Sequence, residues 1–394
     1  MNADQPAPSP PGAAAAIRAT VDGNRLELLE TGAGRLRAIL DLIRGAERSV
    51  RLLYYIFGTD ASSTAVRDAL VEAAQRGVQV SLLRDGFGSS HADAKFFQPF
   101  SANGGKLCLF HPKYGRRYLL RNHQKLIVAD DRKALIGGAN IEDNYLTDDG
   151  PRHWRDLALL IDGPIVGAAA EYFDALYLWS GRKGTKLLSL RRLVSRHSNR
   201  RGPLQWHFSA PLSLRTPWPS IFTRDLYNAT QVDMIEPYFT PPRAMLRRVT
   251  RVASRGRVRL IVAAKSDIGA TLAAARHSYS RLLRRGVLVY EYQPARLHTK
   301  LAIVDGAVHI GSANFDFRSL YLNLEIMLRI EDPAFTAAIR GYFEREVANC
   351  EQITPELHRQ RANPWRRLKW FVAHWLVTSM DYNVTRRLNL PLDK

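Results

Sequence analysis

Short apolar runs alternate with amphipathic segments along most of this chain. The runs lie at 49–57, 78–85 and 106–110 in the first half and at 232–239, 257–264 and 286–292 in the second. Segments 62–76 and 242–255, between the first two runs of each half, have apolar residues at helical spacing. Short runs rich in β-branched and aromatic residues predict strands, and strands that alternate with helices indicate an α/β layered fold.

The polar pattern RNHQKLIVAD at 121–130 is repeated as RLHTKLAIVD at 296–305. Both have the form His-x-Lys-x4-Asp, and the two copies are 175 positions apart. GGAN at 137–140 and GSAN at 311–314 follow them, 174 positions apart, so the second copy has a turn one residue shorter. A repeat of this length predicts two homologous α/β halves.

The repeat also predicts how the chain is divided. Residues 1–20 form a Pro/Ala-rich leader without the basic start and apolar core of a signal peptide. We expect an N-terminal lobe at 21–200, a C-terminal lobe at 201–350, and an extension outside both repeats at 351–394.

The charge of the chain points to a polyanionic partner. It has 57 basic and 37 acidic residues and a net charge of +20, which suits nucleic acid or an anionic membrane surface. Cys108 and Cys350 are too few for a disulfide framework or a cysteine metal site. No stretch has the roughly 18–20 uncharged apolar residues of a membrane-spanning helix, since Asp162, Glu171 and Asp174 interrupt 158–179.

The two motifs place basic groups together at strand ends. Side chains two apart on a strand share a face, so His123 lies beside Lys125, and the same holds for His298 and Lys300. A hairpin after each strand returns GGAN or GSAN to the His/Lys end. The expected anion donors there are Asn140, Asn314, the backbone at Gly138 and the Ser312 hydroxyl.

These groups suit displacement at a phosphate ester. One neutral imidazole can attack phosphorus and form a phosphohistidine, while the other protonates the leaving alcohol and later deprotonates the incoming one. Two lysines stabilise the negative charge of the transition state. The reaction requires no metal or cofactor, and none is predicted. Asp130 and Asp305 are candidates for the same catalytic set, but both occupy turn positions and can equally serve only the hairpins.

The doubled motif resembles that of the phospholipase D superfamily over nearly all of residues 24–350. The resemblance implies two α/β/α lobes with mixed sheets, related by a pseudo-twofold axis, with the active site in the seam. It also implies His123 and His298 as nucleophile and general acid/base. Superfamily members place an acidic residue behind each histidine, and Glu325 and Asp156 match these positions. The near-symmetry leaves the nucleophile undecided in this sequence; family practice favours His123.

Within the superfamily, several longer stretches are similar to bacterial cardiolipin synthases that lack N-terminal membrane helices. They include AAQRGVQVSLLRDGFGS, RNHQKLIVADDRKALIGGANI and LHTKLAIVDGAVHIGSANFDFRSLYLNLE. The resemblance implies a phosphatidyltransferase that makes cardiolipin from phosphatidylglycerol, with phosphatidylethanolamine as a further candidate substrate. Hydrolysis to phosphatidic acid and a nuclease activity remain alternatives, although nucleic acid is not the first choice. A monomer suffices for one active site.

The C-terminal extension combines basic and aromatic residues. A helix of this kind that is too short to span a bilayer is typical of an interfacial anchor. The predicted membrane contacts are Trp365, Arg366, Arg367, Lys369 and Trp370. They would hold the protein peripherally on the cytoplasmic face of the bacterial inner membrane. The alternative is that the helix packs its apolar face on the protein's own core.

Overall fold

The computed structural model of the protein describes residues 16–110, 120–182, 184–199, 201–210, 217–266 and 269–376. Most of the predicted leader at 1–20 and the final part of the predicted extension, 377–394, lie outside these ranges.

The first half forms a mixed β-sheet. Its strands are β1 (Arg18–Val21), β2 (Asn24–Leu29), β3 (Ser49–Tyr54), β4 (Gln79–Asp85), β5 (Lys106–Phe110), β6 (Leu126–Ala129), β7 (Lys133–Gly137) and β9 (Ala158–Asp162). They are arranged in the order β1-β2-β9-β7-β6-β3-β4-β5. β3, β4 and β5 are parallel, and the remaining pairs are antiparallel.

The second half forms a matching sheet. Its strands are β10 (Leu204–Ser209), β11 (Gln231–Ile235), β12 (Arg257–Ala263), β13 (Leu288–Tyr292), β15 (Leu301–Val304), β16 (Ala307–Gly311), β17 (Glu325–Glu331) and β18 (Cys350–Ile353). The order is β10-β17-β16-β15-β11-β12-β13-β18. The seven strands β2-β9-β7-β6-β3-β4-β5 correspond in order to β10-β17-β16-β15-β11-β12-β13 of the described chain, which confirms the two homologous halves.

Helices cover both faces of the sheets. In the first half they are α1 (Gly32–Arg44), α2 (Ala61–Gln75), α3 (Gln98–Ala102), α4 (Asp143–Leu146), α5 (Val166–Gly181) and α6 (Leu187–His197). In the second they are α7 (Pro217–Asn228), α8 (Arg243–Ala253), α9 (Gly269–Arg284), α10 (Phe317–Tyr321), α11 (Pro333–Val347), α12 (Pro355–Arg361) and α13 (Pro364–Trp375). α1 and α2 pack on the sheet face that contains Leu52, and α5 packs on the face that contains Leu53, as expected for side chains that alternate along a strand.

Local sequence fixes where several helices begin. Asp60, Asp332 and Asn363 precede α2, α11 and α13, and each accepts a hydrogen bond from a backbone N–H of the first turn. Such caps satisfy amide groups that have no partner inside the helix. The predicted helical segments 62–76 and 242–255 correspond to α2 and α8.

The hairpins after the two motifs differ as their spacing predicts. Ala129 pairs with Lys133 across a three-residue turn, whereas Val304 pairs with Ala307 across a two-residue turn. Asp130 and Asp305 have φ values of 54° and 46°, in the left-handed region that aspartate tolerates better than most residues. The missing residue of the second repeat is therefore in the turn.

The two halves interlock through backbone pairing. β8 (Trp154–Arg155) of the first half pairs in parallel with β14 (Arg296–Leu297) of the second, and Asn122 forms an isolated bridge with Leu324. One apolar cluster contains residues from both sheets together with α5 and α11. The first sheet ends at Asp162 and the second begins at Leu204, so the predicted boundary at 200 falls between the sheets; β18 extends the second sheet past residue 350. The exact division remains a prediction.

Candidate functional site

The predicted His/Lys pairs lie where β6 and β15 begin. His123 and Lys125 directly precede β6, and His298 and Lys300 directly precede β15. The antiparallel partner strands end beside them, because Leu126 pairs with Ile136 and Leu301 pairs with Ile310. The hairpins thus return Asn140 and Asn314 to the same end of each sheet, as the sequence predicts.

Each histidine is hydrogen-bonded to the acidic residue of the opposite half. His123 Nδ1 lies 3.0 Å from both carboxylate oxygens of Glu325, and His298 Nδ1 lies 2.7 Å from Asp156 Oδ2. The backbone repeats this exchange, since His123 N–H donates to Leu324 O at 2.9 Å and His298 N–H donates to Arg155 O at 2.8 Å. Both histidines are therefore held at one seam between the two halves.

The carboxylates also determine which imidazole nitrogen can react. When Nδ1–H donates to a carboxylate, Nε2 carries the lone pair. Burial, together with the charges of Lys125 and Lys300, lowers the pKa of His123 to about 4, although Glu325 opposes the shift. Burial and the same two lysines lower the pKa of His298 to about 3. Neutral imidazoles of this kind are suited to nucleophilic attack, and a bound phosphate anion would raise both pKa values.

The two histidines differ in their surroundings. The His123 side chain is 12% exposed and has the Tyr55 ring 5.0 Å away, measured between centroids. The His298 side chain is 6% exposed and contacts Tyr145 at 5.0 Å, Trp154 at 5.4 Å and Tyr238 at 6.4 Å. His123 is thus the more accessible ring.

The two lysines are buried positive charges. Lys125 and Lys300 are each 1% exposed, and each ammonium donates to the carbonyl oxygen of the histidine two residues earlier. Burial lowers the pKa of Lys125 to about 7 and that of Lys300 to about 8, with nearby carboxylates opposing the shift. Each lysine also lowers the pKa of the histidine in the other half, which places all four groups within electrostatic range.

The residues predicted to donate hydrogen bonds to the anion differ in their contacts. Asn140 and Asn314 are buried, and neither Oδ1 has a hydrogen-bond partner. A Cβ at Gly138 would lie 2.6 Å from Asp156 Oδ1, so the glycine makes room for that carboxylate. The equivalent Ser312 donates its hydroxyl to Glu325 Oε2 at 2.5 Å. Ser312 therefore orients the carboxylate behind His123, whereas the sequence pattern predicts it as a phosphate donor.

Asp130 and Asp305 are not brought together with the histidines. They lie at the far ends of β6 and β15, about 16 Å along the strand from the lysines at 3.3 Å per residue. Asp130 accepts hydrogen bonds from the backbone N–H groups of Glu47, Arg48 and Ser49. Asp305 likewise accepts from the N–H groups of Thr230 and Gln231. Their assignment to the catalytic set is corrected: both residues serve the turns.

Several buried or half-buried groups beside the paired histidines and lysines were not predicted from the sequence. These are Tyr55, Asp85, Tyr145, Trp154, Glu236 and Tyr238. Asp85 accepts hydrogen bonds from the N–H groups of Phe87, Gly88 and Asn122, which ties a loop of the first half to the segment before His123. The sequence does carry a signal for Glu236, because alignment of the two halves puts this residue at the position that Tyr54 occupies in the first half.

The predicted membrane residues lie on α13, which packs on α9. Trp365 is 80% exposed, and Arg366, Arg367 and Lys369 are also exposed. Trp370 is instead buried, with its ring stacked on His358, so it is removed from the predicted membrane contacts. Within the described part of the chain, no helix is long and apolar enough to cross a bilayer.

Comparison with known proteins identifies the family. Residues 39–177 and 224–347 match the family described as cardiolipin synthase, PLD-like domain. The chain is 30% identical to cardiolipin synthase A of Pseudomonas fluorescens over 345 residues, covering 86% of this chain and 71% of that protein. It is also 30% identical to cardiolipin synthase B of Salmonella typhimurium, covering 86% and 84%.

A solved structure supports the same fold. The phosphatidylserine synthase of Haemophilus influenzae superposes with a TM-score of 0.73 at 14% identity, covering 94% of this chain and 96% of that one. The chain belongs to the phospholipase D superfamily, in the family described as cardiolipin synthase, PLD-like domain.

Proposed function

We propose that this protein is a phosphatidyltransferase that makes cardiolipin from phosphatidylglycerol through a phosphohistidine. The observation that carries the proposal is the exchanged pairing of His123 with Glu325 and of His298 with Asp156. Two imidazoles held in one cleft with two buried lysines supply a nucleophile, an acid/base and positive charge for a phosphate diester.

In the first step, His123 Nε2 attacks phosphorus of the donor phosphatidylglycerol. The bond from phosphorus to the headgroup oxygen breaks. His298, which takes up a proton at Nε2 when the bound phosphate anion raises its pKa, gives that proton to the headgroup oxygen, so glycerol leaves. The phosphatidyl group is then bound to His123. Lys125 and Lys300 stabilise the added negative charge during attack, and the carboxylate behind each ring stabilises the imidazolium that forms.

In the second step, His298 accepts a proton from a headgroup hydroxyl of a second phosphatidylglycerol. The hydroxyl oxygen attacks phosphorus, the bond to His123 breaks, and cardiolipin is formed. Water could take the place of this hydroxyl, which would give phosphatidic acid. A closely held acceptor competes well because effective molarities of positioned groups reach about 10⁵ M or more.

Lipid as the substrate is supported by the names of the relatives. Two proteins at 30% identity are named cardiolipin synthase A and B. The site chemistry alone fits any phosphodiester, so the relatives and the surface of α13 favour lipid over nucleic acid.

The exposed face of α13 supports contact with an anionic bilayer. More than half of the large hydrophobic side chains that are exposed in the described residues belong to this helix or its C-terminal cap: Trp365, Leu368, Phe371, Val372, Trp375 and Leu376. Residues 357–376 contain five lysines and arginines and no acidic residue. Each basic residue near an anionic leaflet contributes about 1 kcal/mol. A second copy would bring like charges together, so a bilayer suits this face better.

The product assay tests the proposed reaction. Purified protein is incubated with phosphatidylglycerol vesicles, with and without phosphatidylethanolamine, and products are identified by mass spectrometry. We expect cardiolipin and free glycerol, with turnover abolished in His123→Ala and in His298→Ala. Phosphatidic acid alone would replace transfer with hydrolysis. Cleavage of DNA or RNA without any lipid product would show that the protein acts as a nuclease instead.

A further inference from the structure

The two catalytic lysines face different residues across the sheet. Leu53 pairs with Leu126 and Ile235 pairs with Leu301, and both pairs are antiparallel. Continuing each register by one residue places Tyr54 opposite Lys125 and Glu236 opposite Lys300. Directly opposite residues share a sheet face, with Cβ atoms about 4.5–5.5 Å apart. The pseudo-twofold relation is broken here, because a carboxyl group stands where the other half has a phenol.

Glu236 is also fixed to the segment that carries Asn314. The residue is 2% exposed, and its Oε2 accepts a hydrogen bond from Phe315 N–H at 3.0 Å. Its own N–H donates to Ile261 O at 2.9 Å. The buried Glu236 carboxyl group thus lies between the strand that carries Lys300 and the segment that follows Asn314. Lys300 and Asn314 are both expected phosphate ligands.

The carboxyl groups that raise the pKa of the two lysines also differ between the halves. The carboxyl groups that oppose the loss of the Lys300 proton are Asp156, Glu236, Glu325 and Asp316, and those for Lys125 are Glu325, Asp156 and Asp85. The lysines also act on each other's half, since the Lys300 charge lowers the pKa of Lys125 and both lysine charges lower the pKa of His298. Burial keeps Tyr54 uncharged, since it raises the pKa of the phenol. Glu236 and Asp316 thus act on Lys300 from the second half, and the strand register places Glu236 directly opposite the lysine.

We propose that Glu236 is a positioning residue that acts through Lys300, keeping the ammonium group of this lysine charged from the opposite strand. Lys300 then keeps its positive charge to a higher pH than Lys125, for which Glu325 across the seam is the main opposing carboxylate. The role in phosphate binding rests on the proposed function, but the charge of Lys300 does not. Burial raises the pKa of Glu236 well above its usual range, while the Lys300 charge and the hydrogen bond from Phe315 N–H oppose this rise. The proposed role requires that Glu236 is ionised beside Lys300.

The test compares Glu236→Gln with Tyr54→Phe at the equivalent position. Glutamine keeps the shape and can still accept from Phe315 N–H, so it removes only the charge. The Lys300 titration is followed by NMR of protein labelled at the lysine side chains, with Lys300→Arg used to assign the signal. The pH dependence of turnover is measured for the same variants with the diester that the wild type uses. Thermal unfolding reports any structural loss.

We expect Glu236→Gln to lower the pKa of Lys300 by about one unit or more, a tenfold change in its protonation equilibrium. The alkaline limb of turnover should move to lower pH by the same amount, and Tyr54→Phe should move neither. An unchanged Lys300 titration in a folded Glu236→Gln protein would overturn the proposal, because it would mean that the carboxyl group is already neutral. A wild type that does not transfer lipid would overturn the proposed function. The effect of Glu236 on the charge of Lys300 would still be decided by the NMR titration.

Discussion

At the residue scale, the site depends on pairings that cross the seam. The repeated motif identifies His123 and His298, and the superfamily resemblance adds Asp156 and Glu325 as the acidic residues behind them. It does not show that each carboxylate serves the histidine of the other half, because that pairing follows from the β8–β14 contact and the Asn122–Leu324 bridge. Ser312 illustrates the same limit, since its partner, Glu325, lies on the adjacent strand.

The exchanged carboxylates give the first prediction. Glu325→Gln and Asp156→Asn keep the shape but remove the charge that stabilises each imidazolium and can reverse the tautomer. We expect turnover to fall roughly 10²–10⁴-fold in each variant. Initial rates measure this, with circular dichroism as the control for folding. Full activity in Glu325→Gln would contradict the assigned contact with His123.

The lysines predict a pH dependence. Their pKa values are lowered by burial to about 7 and about 8, so each ammonium is present below these values and is lost as pH rises through them. Affinity for an anionic phosphodiester should therefore fall between pH 7 and pH 9, by up to about tenfold per unit for each proton lost. Inhibition by glycerophosphoglycerol, whose charge is constant in this range, measures the effect. A bound anion raises the pKa of both lysines, so the fall in affinity moves to higher pH.

The control for this pH dependence is Lys125→Arg. The guanidinium remains charged at all these pH values, so inhibition should vary less with pH than in the wild type. Equal inhibition at pH 7 and pH 9 in the wild type would show that the lysines do not titrate in this range.

At the scale of the elements, hydrophobic patterning predicts α2, α8 and the strands around the motifs, because their period is local. The one-residue difference in repeat spacing even predicts the shorter hairpin turn. The function of the aspartate in each motif cannot be derived in this way, since its hydrogen bonds go to the segments before β3 and β11, some 80 residues away in the first half.

Asp130 therefore has a structural role that can be measured. Asp130→Ala leaves three backbone N–H groups without their acceptor, which should lower the free energy of unfolding by about 1–3 kcal/mol. Urea unfolding measures this loss, and turnover per folded molecule should stay within about twofold of the wild type. A stable variant with turnover reduced a hundredfold would return Asp130 to the catalytic set.

At the scale of the whole molecule, the duplicated sheets bring the two histidines to one seam because the halves interlock and share an apolar core. The sequence predicts this through its resemblance to a superfamily. It does not predict which face of the C-terminal helix is free, because aromatic residues occur on several sides of this helix. In the structure, α9 covers the side that carries Trp370 and Ala373.

The free face of α13 predicts vesicle binding. Leu368→Asp with Phe371→Asp places two acidic groups on the exposed face, so binding to phosphatidylglycerol vesicles should fall at least tenfold, as two lost apolar contacts of about 1.5 kcal/mol each would require. Flotation with phosphatidylglycerol or neutral phosphatidylcholine vesicles measures this. Leu178→Asp with Leu188→Asp, at exposed leucines elsewhere, is the matched control. Equal flotation of all three proteins, or a change in molecular mass instead, would contradict the bilayer contact.

The central claim is that two histidines from two halves serve one reaction, with His123 as the nucleophile. A phosphatidyl ester of p-nitrophenol tests it directly, because nitrophenolate leaves without a proton from His298. We predict a rapid release of one nitrophenolate per chain in the wild type and in His298→Ala, with slow turnover in the latter, and no release in His123→Ala. Two equivalents per chain, or a full release in His123→Ala, would contradict the claim.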